Sequence, residues 1–170
     1  MKNIKLFLVI FSLVFVFALS ASAQSVTFTS IDGESIDLEA QKGKVVVLAI
    51  GAQWLPLSNQ QAAYINKLSK KYAGRDVLFY FISADSASPK SKNYASDEAL
   101  RKFATTNKLT ISILRDSDGA VSLKKFNIDQ LPSFVILDKE GKLATSFGGI
   151  DTDPKNDISV KISREVDKLL

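Results

Sequence analysis

Apolar and polar positions alternate at Val26-Thr27-Phe28-Thr29 and again at Ser35-Ile36-Asp37-Leu38, with Asp32-Gly33 between them. A period of two marks a half-buried strand, and Asp-Gly suits a tight turn, so this stretch predicts an N-terminal β-hairpin. The pattern then changes. Val45 to Ile50 reads VVVLAI, with no polar position. A strand covered on both faces gives such a run, as at the centre of a parallel sheet. Gly51 to Ser58 (GAQWLPLS) is turn-like. Ala62, Ile65, Leu68 and Tyr72 then recur at helical spacing, and Gly74 is a natural stop. Ser58 and Gln61 have the spacing of a capping box at the start of that helix.

Val77 to Ser83 (VLFYFIS) predicts a second buried strand. Ala84 to Tyr94 is rich in Ser, Lys and Asp, contains Pro89, and reads as a loop. Ser96 and Asp97 suit the cap of a helix carrying Leu100, Phe103 and Ala104. Ile111 to Leu114 predicts a short strand, and Val121 to Phe126 a short helix. Ser133 to Leu137 is another strand, turning at Glu140-Gly141 into Leu143 to Phe147. Ile158, Ile162, Val166 and Leu169 mark a last amphipathic helix, with Pro154 near its start. Strands alternating with helices, then a hairpin and a helix, describe an α/β fold. A mixed central sheet of about five strands plus the N-terminal hairpin is flanked by helices. No linker divides residues 24–170, so they form one domain.

The first 23 residues read differently. Lys2 and Lys5 precede an almost unbroken apolar run from Leu6 to Leu19, and Ala21-Ser22-Ala23 is a small-x-small site. That is the pattern of a secretory signal peptide. The run is shorter than the ~20 residues of a spanning helix, so cleavage near Ala23 and a soluble periplasmic or secreted product are expected, with no membrane association after cleavage. Removing the leader takes two lysines and no acids, leaving 20 basic against 18 acidic residues, a net charge of +2. The lysines are scattered in short runs such as Lys70-Lys71 and Lys124-Lys125, which gives nucleic-acid binding no support.

Two absences restrict the chemistry. The chain has no histidine, the usual general base near neutral pH. It has no cysteine, so it can form no disulfide, thiolate nucleophile or cysteine-based metal site. Asp116 and Asp118, and Asp151, Asp153 and Asp157, form two acidic loop clusters without the spacing of a calcium loop; they read as solvated turns and helix caps. No glycine motif cradles a phosphate. No cofactor and no metal is expected.

Three stretches resemble a known family in order and separation: VVVLAIGAQWLPLS (Val45–Ser58), ILRDSDGAVSLKKF (Ile113–Phe126) and NIDQLPSFVILDKEGKL (Asn127–Leu143). They are similar to the redoxin branch of the thioredoxin superfamily, in particular the TlpA/ResA-like, AhpC/TSA-related periplasmic thiol–disulfide oxidoreductases. The resemblance covers essentially all of residues 24–170 and implies a thioredoxin-like fold. In that family a buried strand runs into a Trp-Cys-x-x-Cys motif that opens the first long helix. Trp54 stands at the tryptophan, Leu55 and Ser58 at the two cysteines, Pro56 and Leu57 between them. Ala49 stands where many members carry a buried acid or amide. Pro132 matches the family's cis-proline, which implies a cis bond after Leu131.

The family's reaction needs a thiolate at the helix N-terminus and a second thiol to resolve the mixed disulfide. Leu55 has no ionisable atom, and Ser58 is a hydroxyl with no histidine to activate it. No catalytic residue is therefore expected. What the resemblance leaves is a groove between Trp54–Ser58 and Leu131–Pro132, where a non-catalytic or chaperone-like module would hold an extended polypeptide or an envelope protein. Alternatives are residual, cysteine-independent oxidoreductase or peroxidase activity, and a structural subunit that oligomerises through the apolar turn. Two arrangements of that turn stay open: an exposed patch of Trp54, Leu55, Pro56 and Leu57, or Leu55 and Leu57 folded inward to fill the space of the lost site.

Overall fold

The computed structural model describes residues 26–151 and 153–170. The expected leader lies outside them. The hairpin forms from β1 (Thr27–Ser30) and β2 (Ser35–Asp37), antiparallel with Phe28 opposite Ile36. Gly33 takes φ +89° in the connecting turn, a conformation that a side chain at that position would strain. The apolar run becomes β3 (Val45–Gly51), buried at every residue. α1 (Leu57–Lys71) follows, then β4 (Val77–Ser83), α2 (Asp97–Thr106), β5 (Ile113–Arg115), a short α3 (Ser122–Lys125), β6 (Ser133–Leu137), β7 (Leu143–Gly148) and α4 (Ile158–Leu169).

The seven strands form one sheet in the order β2-β1-β5-β4-β3-β6-β7. β3, β4 and β5 are parallel; β1, β6 and β7 run antiparallel to their neighbours. The sheet is thus mixed, with five strands extended by the N-terminal hairpin. Its two faces carry separate apolar clusters, because β3 sends alternate side chains to opposite sides. Val45, Val47 and Ala49 join Ile65, Leu68, Leu100, Ile162 and others under α1, α2 and α4. Val46, Leu48 and Ile50 join Phe28, Leu38 and Phe126 on the other face.

Three local expectations change. The strand placed at Ile111–Leu114 begins at Ile113, because only Ile113 to Arg115 pair with β4; Ile111 packs against the core from outside the sheet. Asp116 is buried rather than solvated. Its two carboxylate oxygens accept the Val121 and Ser122 N–H groups at 3.0 and 2.6 Å, satisfying the free amides at the start of α3. The capping box at Ser58 and Gln61 does not form: α1 begins at Leu57 after Pro56, without a side-chain cap, and both polar groups point elsewhere. By contrast Ser96 does cap α2, accepting the Ala99 N–H, and Asp157 caps α4 through the Ser159 N–H.

Candidate functional site at the end of the central strand

The chain leaves β3 at Gly51 and reaches α1 by a run of tight turns. The Leu55 N–H bonds to the Ala52 carbonyl at 3.1 Å, and the Ser58 N–H to the Leu55 carbonyl at 3.0 Å. Two side chains hold the Ala52 and Gln53 amides. Ser58, fully buried, turns its Oγ backward to accept the Ala52 N–H at 3.2 Å. Asp85, just beyond β4, accepts the Gln53 N–H on Oδ2 at 2.9 Å. Ser58 therefore closes the turn rather than capping the helix, because Pro56 already starts it.

Gly51 makes this closeness possible. A Cβ there would stand 2.8 Å from Ser58 Oγ, 3.2 Å from Phe81 Cζ, and closer still to Gln61 Oε1. Gln61 is buried and donates from Nε2 to the Ile50 carbonyl at 3.2 Å and the Ser133 carbonyl at 2.7 Å; its Oε1 has no partner. These bonds join three elements: the end of β3, the first turns of α1, and the start of β6.

The residues singled out from the sequence lie together. Ile50 at the end of β3 pairs with Ser133, the residue after Pro132, so the chain leaves β3 toward the turn next to where it enters β6 from the proline loop. The Leu131–Pro132 peptide bond is cis. Pro132 is buried and Leu131 half-buried, packed against the second apolar cluster. The Leu131 N–H and C=O make no hydrogen bond among the described residues. Trp54 is 51% exposed and Pro56 is exposed, whereas Leu55 and Leu57 are half-buried. Neither leucine packs into either apolar cluster. The turn thus keeps an apolar face at the surface instead of collapsing onto the core.

A polar layer lies beneath that face. Ser58, Gln61, Ser83, Asp85 and Ser133 are all fully buried at this end of the sheet. Ser83 Oγ donates to Asp85 Oδ2 at 2.8 Å and accepts the Asp85 N–H at 3.3 Å. Burial pushes the Asp85 carboxyl above the ordinary aspartate range, opposed by the bonds from Gln53 and Ser83 and by the Arg115 charge. Sequence reasoning read Gln61 only as a capping-box partner and did not single out Ser83 or Asp85. The signals were present: Gln61 occupies the apolar stripe of α1, four residues before Ile65, and Asp85 follows directly on a buried strand.

The model of the family described as Redoxin matches residues 18–161. The chain belongs to the redoxin family. Among its relatives is the "Thiol-disulfide oxidoreductase ResA" of Bacillus thuringiensis subsp. konkukian, 26% identical over 76% of this chain and 69% of the relative. Another is the "Thioredoxin-like protein YneN" of Bacillus subtilis, 31% identical over 70% of this chain and 65% of that protein. The fold is thioredoxin-like. It superposes on a secreted Mycobacterium tuberculosis disulfide oxidoreductase with a TM-score of 0.66 at 23% identity, covering 85% of this chain and 96% of the other. This redoxin has no cysteine, so the dithiol chemistry for which such relatives are named has no atoms to act through.

Proposed function

We infer that this redoxin is an exported, non-catalytic binding module that holds an extended polypeptide between the Trp54–Ser58 turn and the Leu131–Pro132 loop. One observation carries the reading. Trp54 is half exposed on the turn that leaves β3, and β3 pairs with the strand that begins directly after Pro132, where the Leu131 N–H and C=O are unengaged among the described residues. An extended chain needs both elements: backbone groups to pair with, and an apolar surface for its side chains. Aromatic residues contribute disproportionately to such contacts because they present large area at low entropy cost.

Export is supported by the leader pattern and by the description of the similar mycobacterial protein as secreted. No helix among the described residues is long and apolar enough to cross a membrane.

A photocrosslinker at position 55 or 131, with reduced and carboxymethylated lactalbumin as a permanently unfolded probe, tests the reading. Both positions should crosslink the probe, while one on exposed Val160 of α4 should not. Crosslinking confined to position 160, or none at all, sinks it. Insulin-reduction and peroxidase assays of the same protein should give the rate of buffer.

A further inference from the structure

The turn that carries Trp54 has one tie to a distant part of the chain through its own amides, and that tie is Asp85. Ala52 is held locally by Ser58, and Leu55 by the Ala52 carbonyl. Gln53, the residue before Trp54, is held by a carboxylate 32 residues away in sequence. The ladder explains why Asp85 has this position. Ala84 donates its N–H to the Gly51 carbonyl at 2.7 Å, the last backbone bond between the β3 and β4 segments. One residue further, the Asp85 side chain takes over and accepts the next amide of the departing turn.

We propose that Asp85 is a proton-sensitive positioning residue: its carboxylate holds the Gln53 amide and thereby fixes the Trp54 indole at the mouth of the groove. Oδ2 accepts two hydrogen bonds, from Gln53 N–H and Ser83 Oγ, and Oδ1 accepts none. A buried carboxylate with one bare oxygen is an expensive arrangement, tolerated only where the charge strengthens the bonds it does make. Uptake of one proton neutralises it, and the amide bond loses its charge assistance.

The charged surroundings are few. Arg115 on β5 is the cation whose field acts on Asp85; its guanidinium is otherwise bound to Asp97 of α2 at 2.8 Å and to the Ala95 carbonyl at 2.6 Å. On the loop before α3, Asp116 holds the Val121 and Ser122 amides, and Asp118 accepts from Ser86 and Ser117. β3, the turn and the first turns of α1 bring no charged side chain, since Gly51 to Tyr64 contains none. The direction follows from burial. Asp85 takes up its proton above the ordinary aspartate value, in a chain with no histidine to titrate in the same region.

The consequence for polypeptide binding rests on the function proposed above, but the device itself is read without any ligand. Trp54 is the only tryptophan in the chain, so its emission reports this turn alone. Emission followed from pH 7 downward should show a one-proton transition centred above the ordinary aspartate value, with far-UV circular dichroism unchanged through it. Asp85→Asn, whose amide oxygen can still accept from Gln53, should abolish that transition. As a readout independent of the variant's folding, the wild-type Gln53 amide is followed by NMR: its hydrogen-exchange protection should fall through the same transition by roughly tenfold, which corresponds to about 1.4 kcal/mol of lost charge assistance. Identical titrations of wild type and variant, or a Gln53 amide indifferent to pH while the fold stays intact, overturn the proposal.

Binding of carboxymethylated lactalbumin over the same range separates the two readings. A titrating Trp54 with no binding at any pH removes the binding function and leaves the positioning role. Binding with an unresponsive Trp54 and Gln53 does the reverse.

Discussion

The Gln61 side chain donates to the Ser133 carbonyl at 2.7 Å, and so fastens the first helix to the strand that begins directly after Pro132. The same amide nitrogen also donates to the Ile50 carbonyl. One buried group therefore sets the spacing between the turn and the proline loop, the two walls of the candidate groove.

Replacing Gln61 should be felt in stability before it is felt anywhere else. Gln61→Leu keeps volume but removes both donated bonds and sets an apolar group against two carbonyls. Urea denaturation should show a loss of about 1–3 kcal/mol. Gln61→Glu should be worse and pH-dependent. A neutral glutamic acid can donate one bond; an ionised one donates none and faces two carbonyl oxygens. Burial and those oxygens raise its folded pKa, so the folded state binds more protons than the unfolded one, and stability falls as pH rises through that window. A Gln61→Glu variant as stable as wild type at all pH values would mean that the helix moves freely against β6.

Gly51 should tolerate no side chain. An alanine Cβ would press on Ser58 Oγ, Phe81 Cζ and Gln61 Oε1 at once, and all three belong to fully buried side chains that cannot swing away. Overpacking of this kind costs about 1–3 kcal/mol. At roughly 2–4 °C per kcal/mol for a chain of this size, the melting temperature should drop by several degrees. Ser58→Ala in the Gly51→Ala background should recover part of the loss, because one of the three contacts shrinks, though it also frees the Ala52 amide.

Most of the fold was legible because burial on both faces leaves a sequence record. VVVLAI and VLFYFIS became β3 and β4 at the expected residues, and the Asp32-Gly33 turn closed the hairpin. The family likewise followed from three motifs in order, and the Redoxin match bears it out. Of the candidate site, the sequence pointed to the turn and the proline loop but not to the bonds between them. Ser58 and Gln61 satisfy a local capping pattern in one dimension. In three, the backbone approach allowed by Gly51 gives both of them non-local partners that no i, i+3 rule contains. Asp85 was hidden for the same reason: its partner is 32 positions away.

Away from the site, Tyr72 closes the α1–α4 interface. Its ring is buried, and its single hydroxyl hydrogen is donated to Asp167 Oδ1 at 2.8 Å, with the Ser163 carbonyl 3.0 Å from the same oxygen as a second, shared acceptor. Tyr72→Phe should cost about 1 kcal/mol at neutral pH. The difference should depend on pH. The Tyr72 hydroxyl, with Lys71 and Arg75 nearby, holds the Asp167 carboxyl below the ordinary aspartate range. A depressed folded pKa contributes stability that is present above the unfolded value and lost as pH falls through the folded one. The gap between wild type and Tyr72→Phe should therefore narrow toward strong acid. Since Asp167 is about half exposed, salt should reduce its part of the effect.

Restoring two cysteines at positions 55 and 58 tests whether the scaffold still presents what the thiol chemistry would need. Leu55 and Ser58 are joined by a 3.0 Å backbone bond across one turn, at the start of a 15-residue helix whose dipole stabilises negative charge there. Leu55→Cys with Ser58→Cys should therefore form an intramolecular disulfide in air, read as the loss of two hydrogens by mass spectrometry. The lone Leu55→Cys thiol should be more acidic than a free cysteine, read by the pH dependence of its alkylation. The Ser58→Cys change has its own cost, because the buried Oγ that holds the Ala52 amide is lost. The double variant should thus melt below wild type when reduced and regain stability on oxidation, as a closed loop restricts the unfolded chain. If the disulfide does not form, the inward turn of Ser58 toward Ala52 is a geometry that excludes the pairing, and restoring the two cysteines alone would not restore the site.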